Sequence, residues 1–396
     1  MYQKYFDKFN EIAKISTASN SVSRAAFSSE DYELRKYIIK LLKKNNLEVF
    51  VDEIGNIFGC TAQNKTKKTI MLGTHIDTGS EDGKYSGIVG VLAGLAAIEF
   101  LTKKKVGENI VLAVFVGKEY FKDNDFVGAR FFAGDNAMLE VVETNEDYAK
   151  FLNYEKILLK NNFFLEIDYF LEVIMEDGNN LILANKQIGI VNYLTSATIC
   201  SVFIEGETSS SANIGVEKRH DALVSAALVI NEINDIALAR CEDGVLATVT
   251  NINVLPGAYN KVPARVELSL EVRGKNNEDI VTCLQEIKDA ISTITEVQDV
   301  TISLKVKTAE TIVAMSAELN DKIIHSCQEC KLSIENLGYA FDQLGLIIGK
   351  AKAGAVIVLP NKGGITHNKA EKLELQDFNN GVAVLEHLIS HKILQS

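Results

Sequence analysis

The sequence predicts an α/β protein in which a large domain is interrupted by a smaller one. Three observations carry that prediction. Between residues 30 and 116, short apolar runs alternate with helical periodicities. From residue 196 the rhythm changes to a β-α-β-β-α-β order. After Thr308, a helix, a strand and a closing helix return.

In the first stretch, residues 30–46 place Leu34, Ile38, Leu41 and Leu42 at helical spacing, the pattern of an amphipathic helix. Leu47–Asp52 and Ile70–Leu72 are short apolar runs typical of strands. Gly87–Leu101 is apolar nearly all round and predicts a buried helix, and Asn109–Val116 a buried strand. Strands and helices in this order imply a parallel or mixed sheet covered by helices. Residues 137–165 are charged and apolar by turns and read as a helix pair.

In the second stretch, Ala197–Ile204 reads as a strand, Asp221–Ile236 as a helix, and Val245–Leu255 and Arg265–Val272 as strands. Glu278–Ile294 is again helical and Val300–Val306 extended. That is the split arrangement of a ferredoxin-like sandwich, inserted at 192–307 between segments 1–191 and 308–396 of the larger domain. The chain closes with a helix over 315–330, a strand at Ala355–Leu359 and a helix over about 375–392.

Composition narrows the function. The chain has 396 residues, 47% hydrophobic and 24% charged, enough for two globular domains. Its 41 basic and 53 acidic residues give a net charge of −12, which disfavours a general binder of nucleic acid or membrane surfaces. Six scattered cysteines do not form a disulfide scaffold, and the charged N-terminus lacks an apolar signal core. A cytoplasmic protein is expected.

The chemistry-bearing motifs begin with Met71-Leu-Gly-Thr-His-Ile-Asp-Thr78. It puts His75 two residues before Asp77 at a strand end, where open α/β sheets face their ligands. Alternation would turn both to one side, so Asp77 could orient an imidazole that binds a metal; a solvated loop histidine is the plain alternative. Cys327-Gln-Glu-Cys330 near His325 imitates half of a zinc or redox site but lacks a second pair of ligands. The glycines of 87–94 lack a phosphate-loop lysine and fit close helix packing better. Ser209–Ser211 have no context for an activated nucleophile.

Ordered along the chain are Ser23-Arg24-Ala-Ala-Phe-Ser, Asp52-Glu-Ile-Gly-Asn56, Gly73-Thr-His-Ile-Asp-Thr78 and Tyr85-Ser-Gly-Ile-Val-Gly90. Then follow Gly128-Ala-Arg130, Glu176-Asp-Gly178, Arg219-His-Asp-Ala222, Asn260-Lys-Val-Pro263, Val272-Arg273 and Gly364-Ile-Thr-His-Asn368. Together they resemble the N-carbamoyl-L-amino-acid hydrolase, ureidopropionase and allantoate amidohydrolase branch of the dinuclear-zinc aminoacylase/carboxypeptidase superfamily. The resemblance covers nearly the whole chain. It implies a metallopeptidase-like α/β domain and an inserted lid that pairs two subunits.

Residue by residue, the resemblance implies metal ligation by His75 and His367. It puts Ser86 where the bridging aspartate belongs, Ile174 at one ligand histidine and Ser210 at the lid histidine. Of an adjacent glutamate pair supplying the general base and a ligand, Gly117-Lys118-Glu119 retains at most Glu119. A Gly-His-Asp-Ala motif is replaced by Asp342-Gln343-Leu344-Gly345. Asn260 and Arg273 are the counterparts of residues that bind the substrate carboxylate, with Arg219 nearby; a guanidinium fork suits that task. Arg273 could equally end a strand in water, Asn260 could shape a turn, and Asp221 could cap a helix.

Two dications about 3.5–4 Å apart need a shared anionic bridge, which a serine does not supply. The expectation is therefore no metal or a single divalent zinc, not a dinuclear centre. A divergent amidohydrolase relative is expected, one that binds a small amino-acid-like carboxylate but has lost standard dizinc hydrolysis. The alternatives are an amidase with a single metal on His75, Glu119 and His367, or a dimeric scaffold or regulatory subunit. The expected partners are a small molecule and a second copy, with no nucleic acid and no membrane.

Overall fold

The computed structural model describes residues 2–61, 67–79, 82–106, 108–118, 126–148, 166–309, 312–340 and 343–393. The chain divides into two compact units. The first comprises Met1–Asn192, Met315–Leu337 and Asp342–Ser396; the second comprises Tyr193–Ala314 and Gly338–Phe341.

The first unit is built on a mixed sheet. Its strands are β1 (Glu48–Val51), β2 (Ile57–Cys60), β3 (Thr69–His75), β4 (Asn109–Phe115) and β5 (Ile167–Met175). The start of β6 (Ile188–Glu205) and, late in the chain, a strand at Ala351–Leu359 complete it. From β1 the order is β1-β2-β4-β3-β5, then Ala351–Leu359, then β6. β3, β4, β5 and Ala351–Leu359 run parallel, while β1, β2 and β6 are antiparallel to their neighbours. β3 and β4 are buried at every residue, as expected of parallel strands covered on both faces.

The helix Ile88–Lys103 crosses this sheet with twelve buried residues. Its glycines permit the close approach: a Cβ on Gly90 would lie 2.6 Å from the Val173 carbonyl oxygen. The amphipathic helix is Ser29–Lys44, capped by the Ser28 hydroxyl, which accepts from the Asp31 N–H. A helix spans Ala137–Glu143, and residues 149–165 of the expected helix pair lie outside the described residues.

β5 escaped the hydrophobic pattern because Asp168 and Glu172 interrupt it. Both carboxylates find partners remote in sequence: Lys352 at 2.7 Å and the Thr69 N–H at 2.8 Å for Asp168, and the Gln343 amide for Glu172. β6 runs eighteen residues rather than the expected Ala197–Ile204, since it contributes to both sheets.

The second unit adds β7 (Leu246–Leu255), β8 (Arg265–Gly274) and β9 (Thr301–Ala309) to β6, in the antiparallel order β9-β6-β8-β7. The helices Ala222–Ala239 and Asn277–Gln298 supply the remaining members of the β-α-β-β-α-β order. Ile280, Cys283, Leu284, Ile287, Ile291 and Ile294 form the buried stripe of the longer helix against β8. Across β8, buried and partly exposed residues alternate, so one sheet face is covered.

The helix Ala317–Glu329, the short β10 (Val313–Ala314) and β11 (Ile334–Ala340) follow, and Ala351–Leu359 is β12. Leu375–His387 is the closing helix.

Candidate functional site

His75 ends β3 opposite Phe115, at the edge where the parallel strands give way to loops. It is 4% exposed. Its Nδ1 donates to the Asp77 carbonyl oxygen at 3.0 Å, which leaves the lone pair on Nε2. The Asp77 carboxylate stands 3.9 Å from Nδ1, too far for the expected hydrogen bond. The strand stops at His75, so the alternation that would turn the Asp77 side chain toward the ring stops there too. Burial, then the nearby Lys118 ammonium, push the His75 pKa well below its ordinary value, so the ring is neutral at pH 7. Gly87, at φ +71, lies against the ring, and a Cβ there would be 2.7 Å from Cε1.

A second group gathers at the segment 82–86 and the loop before the closing helix. Glu371 is 6% exposed and accepts four hydrogen bonds. The Tyr85 and Ser86 N–H groups donate to Oε2 at 3.2 Å each, the His367 N–H to Oε1 at 3.1 Å, and the Ser86 hydroxyl also to Oε1. Burial raises the Glu371 pKa against the pull of these donors. His367 sits at φ +50, a left-handed conformation that the Glu371 bond helps to hold. Its Nδ1 lies 3.2 Å from Asp82 Oδ1, and Asp82 Oδ2 accepts from the Gly79 N–H at 2.6 Å.

Ser86 and His367 therefore belong to one hydrogen-bonded group of the first unit with Asp82 and Glu371 as partners, and Gly87, next to Ser86, lies against the His75 ring. Sequence reasoning missed both carboxylates. The available signal was the spacing in His367-Asn-Lys-Ala-Glu371, which returns a carboxylate to the histidine backbone one turn later. Glu119 lies outside the described residues. Ile174 is half-buried on β5 between the buried Val173 and Met175 and offers no donor. Among the described residues, no three His, Cys, Asp or Glu side chains are grouped as a metal ion requires.

Two other sequence motifs have a structural reason. The Asn56 side chain is fully buried; it donates to the Gly128 carbonyl at 2.9 Å and to Asp52 at 2.8 Å, and accepts from the Val116 N–H at 3.0 Å. Asp52-Glu-Ile-Gly-Asn56 and Gly128-Ala-Arg130 thus meet as a clamp.

In the second unit, Ser210 bridges to Lys261, and the Ser211 N–H donates to the Asn260 carbonyl at 3.3 Å. The Arg219 guanidinium donates to the carbonyls of Ser211 at 2.8 Å and Ile214 at 2.7 Å. These main-chain bonds shape the loop from Ser211 to Arg219. Asp221 caps the following helix, accepting from the Leu223 N–H at 2.9 Å and the Val224 N–H at 3.2 Å.

Asn260, at φ +64, lies in the connection between β7 and β8, and Arg273 near the far end of β8. Eight residues separate Arg265 from Arg273, roughly 27 Å of strand. One small carboxylate does not reach both within one chain. Arg273 pairs with Glu271 at 2.6 Å, and its buried Nη1 has no hydrogen-bond partner.

The model of peptidase family M20/M25/M40 matches residues 71–391. The chain is 24% identical to the N-carbamoyl-L-amino-acid amidohydrolase of Pseudomonas sp. (strain NS671), over 98% of this chain and 97% of that one. It is 23% identical to the allantoate amidohydrolase of Bacillus subtilis (strain 168), covering 94% and 93%. Among solved structures, a hydantoinase/carbamoylase family amidase from Burkholderia vietnamiensis superposes with a TM-score of 0.88 at 21% identity, covering 98% of this chain and 96% of that one. AtUAH in complex with (S)-hydroxyglycine gives 0.86 at 23%, with the same coverage. With the family model matching most of its length, the chain belongs to peptidase family M20/M25/M40.

Proposed function

We propose that this chain is a divergent amidohydrolase relative that holds a small amino-acid-like carboxylate and does not perform dizinc hydrolysis. Members of the family usually use a divalent metal such as zinc, and the relatives act on N-carbamoyl amino acids, allantoate and ureidoglycolate. The observation that carries the reading is Ser86. A neutral hydroxyl stands there, hydrogen-bonded to Glu371, where two dications would require an anionic bridge.

The carboxylate reading rests on Asn260 and on Arg273, whose Nη1 is left unpaired. Because they lie at opposite ends of β8, a shared ligand calls for two copies of the chain. The second unit carries the surface for this: Leu223, Val224 and Leu228 on one helix and Leu246, Ile252 and Leu255 on β7 are exposed. Among the described residues β7 pairs only with β8, so its outer edge is open to a second β7 across a two-fold axis. The helix Ala222–Ala239 is apolar enough to resemble a membrane span, but its eighteen residues fall short of about 20. A homodimer through this inserted unit, in the cytoplasm, completes the proposal.

Elemental analysis of protein purified without chelator, together with thermal shifts by N-carbamoyl amino acids, tests it. The expected result is no stoichiometric metal, no release of ammonia, and stabilisation by the acids that is lost in Arg273→Ala. Two zinc ions per chain with ureido-acid turnover would overturn it. One tightly held ion with turnover would favour the single-metal amidase instead.

A further inference from the structure

We infer that His387 and His391, at the end of the closing helix, form a two-imidazole site for a borderline divalent metal ion: copper(II), nickel or zinc. The two histidines stand four residues apart, the spacing that stacks side chains on one face of a helix. The structure brings their rings together, with centroids 4.8 Å apart and planes at 37°. A metal about 2.0–2.1 Å from one nitrogen of each ring, at a ligand angle between square-planar and tetrahedral, would set the ring centres roughly 4.5–5.2 Å apart. The observed separation falls inside that range, so the pair needs little rearrangement to chelate.

The local chain sets this geometry. The α-helix Leu375–His387 ends at the first histidine, and Leu388–Ile393 carries the chain on as a π-helix around the second. Such turns are rare and concentrate at functional sites. Leu388, Ile389 and Ile393 anchor the inner face of this turn in the core of the first unit, while His387 is half-buried and His391 exposed. His387 Nδ1 is buried and has no hydrogen-bond partner, so the ring meets solvent through its other edge, which carries Nε2. Burial, then the neighbouring His391 and Lys392, lower the His387 pKa, which keeps that imidazole neutral and its lone pair available at pH 7.

The thiols that the sequence sets beside His325 do not join the pair. Cys327 is fully buried, the Cys330 thiol lies 3.9 Å from the Ala383 carbonyl, one turn before His387, and among the described residues no three metal-ligating side chains are grouped. Water therefore completes the coordination shell, and imidazole without thiolate favours copper(II), nickel and zinc over softer ions. Two protein ligands hold an ion less firmly than the three or four of catalytic and structural zinc sites, so this ion exchanges and is not retained through purification.

The inference does not rest on the function proposed above, and its test needs no turnover. Copper(II), the tightest-binding of these ions, is titrated into the purified full chain and followed by electron paramagnetic resonance and calorimetry. The wild type is expected to show a site coupled to two imidazole nitrogens. His387→Gln and His391→Gln should each weaken that site by about tenfold or more. The double variant His75→Gln/His367→Gln should keep it, as should Cys330→Ser. His391 is exposed, so His391→Gln leaves the fold intact and carries the test should His387→Gln not fold. Undiminished binding in His391→Gln, or loss of the site in His75→Gln/His367→Gln or in Cys330→Ser, would overturn the inference.

Discussion

In the first unit the polar side chains at the strand ends lie among partners: Asn56 in its clamp, Glu371 under four donors, Arg24 against two carbonyls. The second unit turns its large apolar side chains outward. Of fifteen exposed large hydrophobic residues among the described ones, thirteen lie between Ile214 and Val306, and only Leu183 and Ile365 belong to the first unit. Buried polar groups must be satisfied within the fold, whereas exposed apolar ones are satisfied by another surface. The first unit is thus closed around these groups, and the exposed apolar face lies on the second.

The sharpest way to break this contrast is to charge the exposed face. Leu228→Asp combined with Ile252→Asp alters positions 38% and 45% exposed, so the unit itself should remain folded. Light scattering should report a change from twice 43.5 kDa to 43.5 kDa. A wild-type chain that is already monomeric would remove the reason for the outward apolar surface.

The closed unit should respond to the smallest intrusion. A Cβ on Gly128 would sit 2.6 Å from the Val116 nitrogen and strike the Asn56 side chain, both of them fixed by hydrogen bonds. Gly128→Ala should cost about 3 kcal/mol in denaturant unfolding. A loss below about 1 kcal/mol would mean that the clamp relaxes and is less tightly closed than its bonds imply. Glu371→Gln comes next, at about 1–3 kcal/mol, because it sets an amide against donors that need an acceptor. Ser86→Ala removes a single donor and should cost nearer 1 kcal/mol. Equal losses for the two would point to the hydroxyl, not the carboxylate, as the centre of the group.

These residues also show how far the sequence could be read. The mixed α/β fold was legible because β3, β4 and the Ile88–Lys103 helix are apolar along most of their length, and tertiary packing did not need to override them. β5 was not, since its carboxylates are satisfied by side chains nearly two hundred residues away. In the site, His75 and His367 were visible as motif histidines, but Asp82 and Glu371 look like surface acids in one dimension. Arg24 was visible only as part of a motif without a role. For Arg219, the sequence did not show that the Ser211 and Ile214 carbonyls take its Nε and Nη2 donors.

The smallest effect separates the units by pH. Glu386, on the closing helix of the first unit, accepts from the Tyr2 hydroxyl at 2.6 Å, and burial pushes its pKa up to about 7. Between its ordinary value of 4.5 and about 7 the folded chain holds a proton that the unfolded chain releases. Its contribution to stability is therefore present in full at the acidic end of that window and lost as pH rises through about 7. After allowance for solvent screening, the change is on the order of 1 kcal/mol. Glu386→Gln should reduce the fall in melting temperature between pH 5 and pH 8 without abolishing it, because burial also pushes Asp52 up to about 7. Both carboxyls belong to the first unit, so the dimer contact proposed for the second should keep its strength over the same range. If dissociation follows the same pH curve as melting, the two units are not energetically separate, and the contrast between a closed unit and a covered one fails.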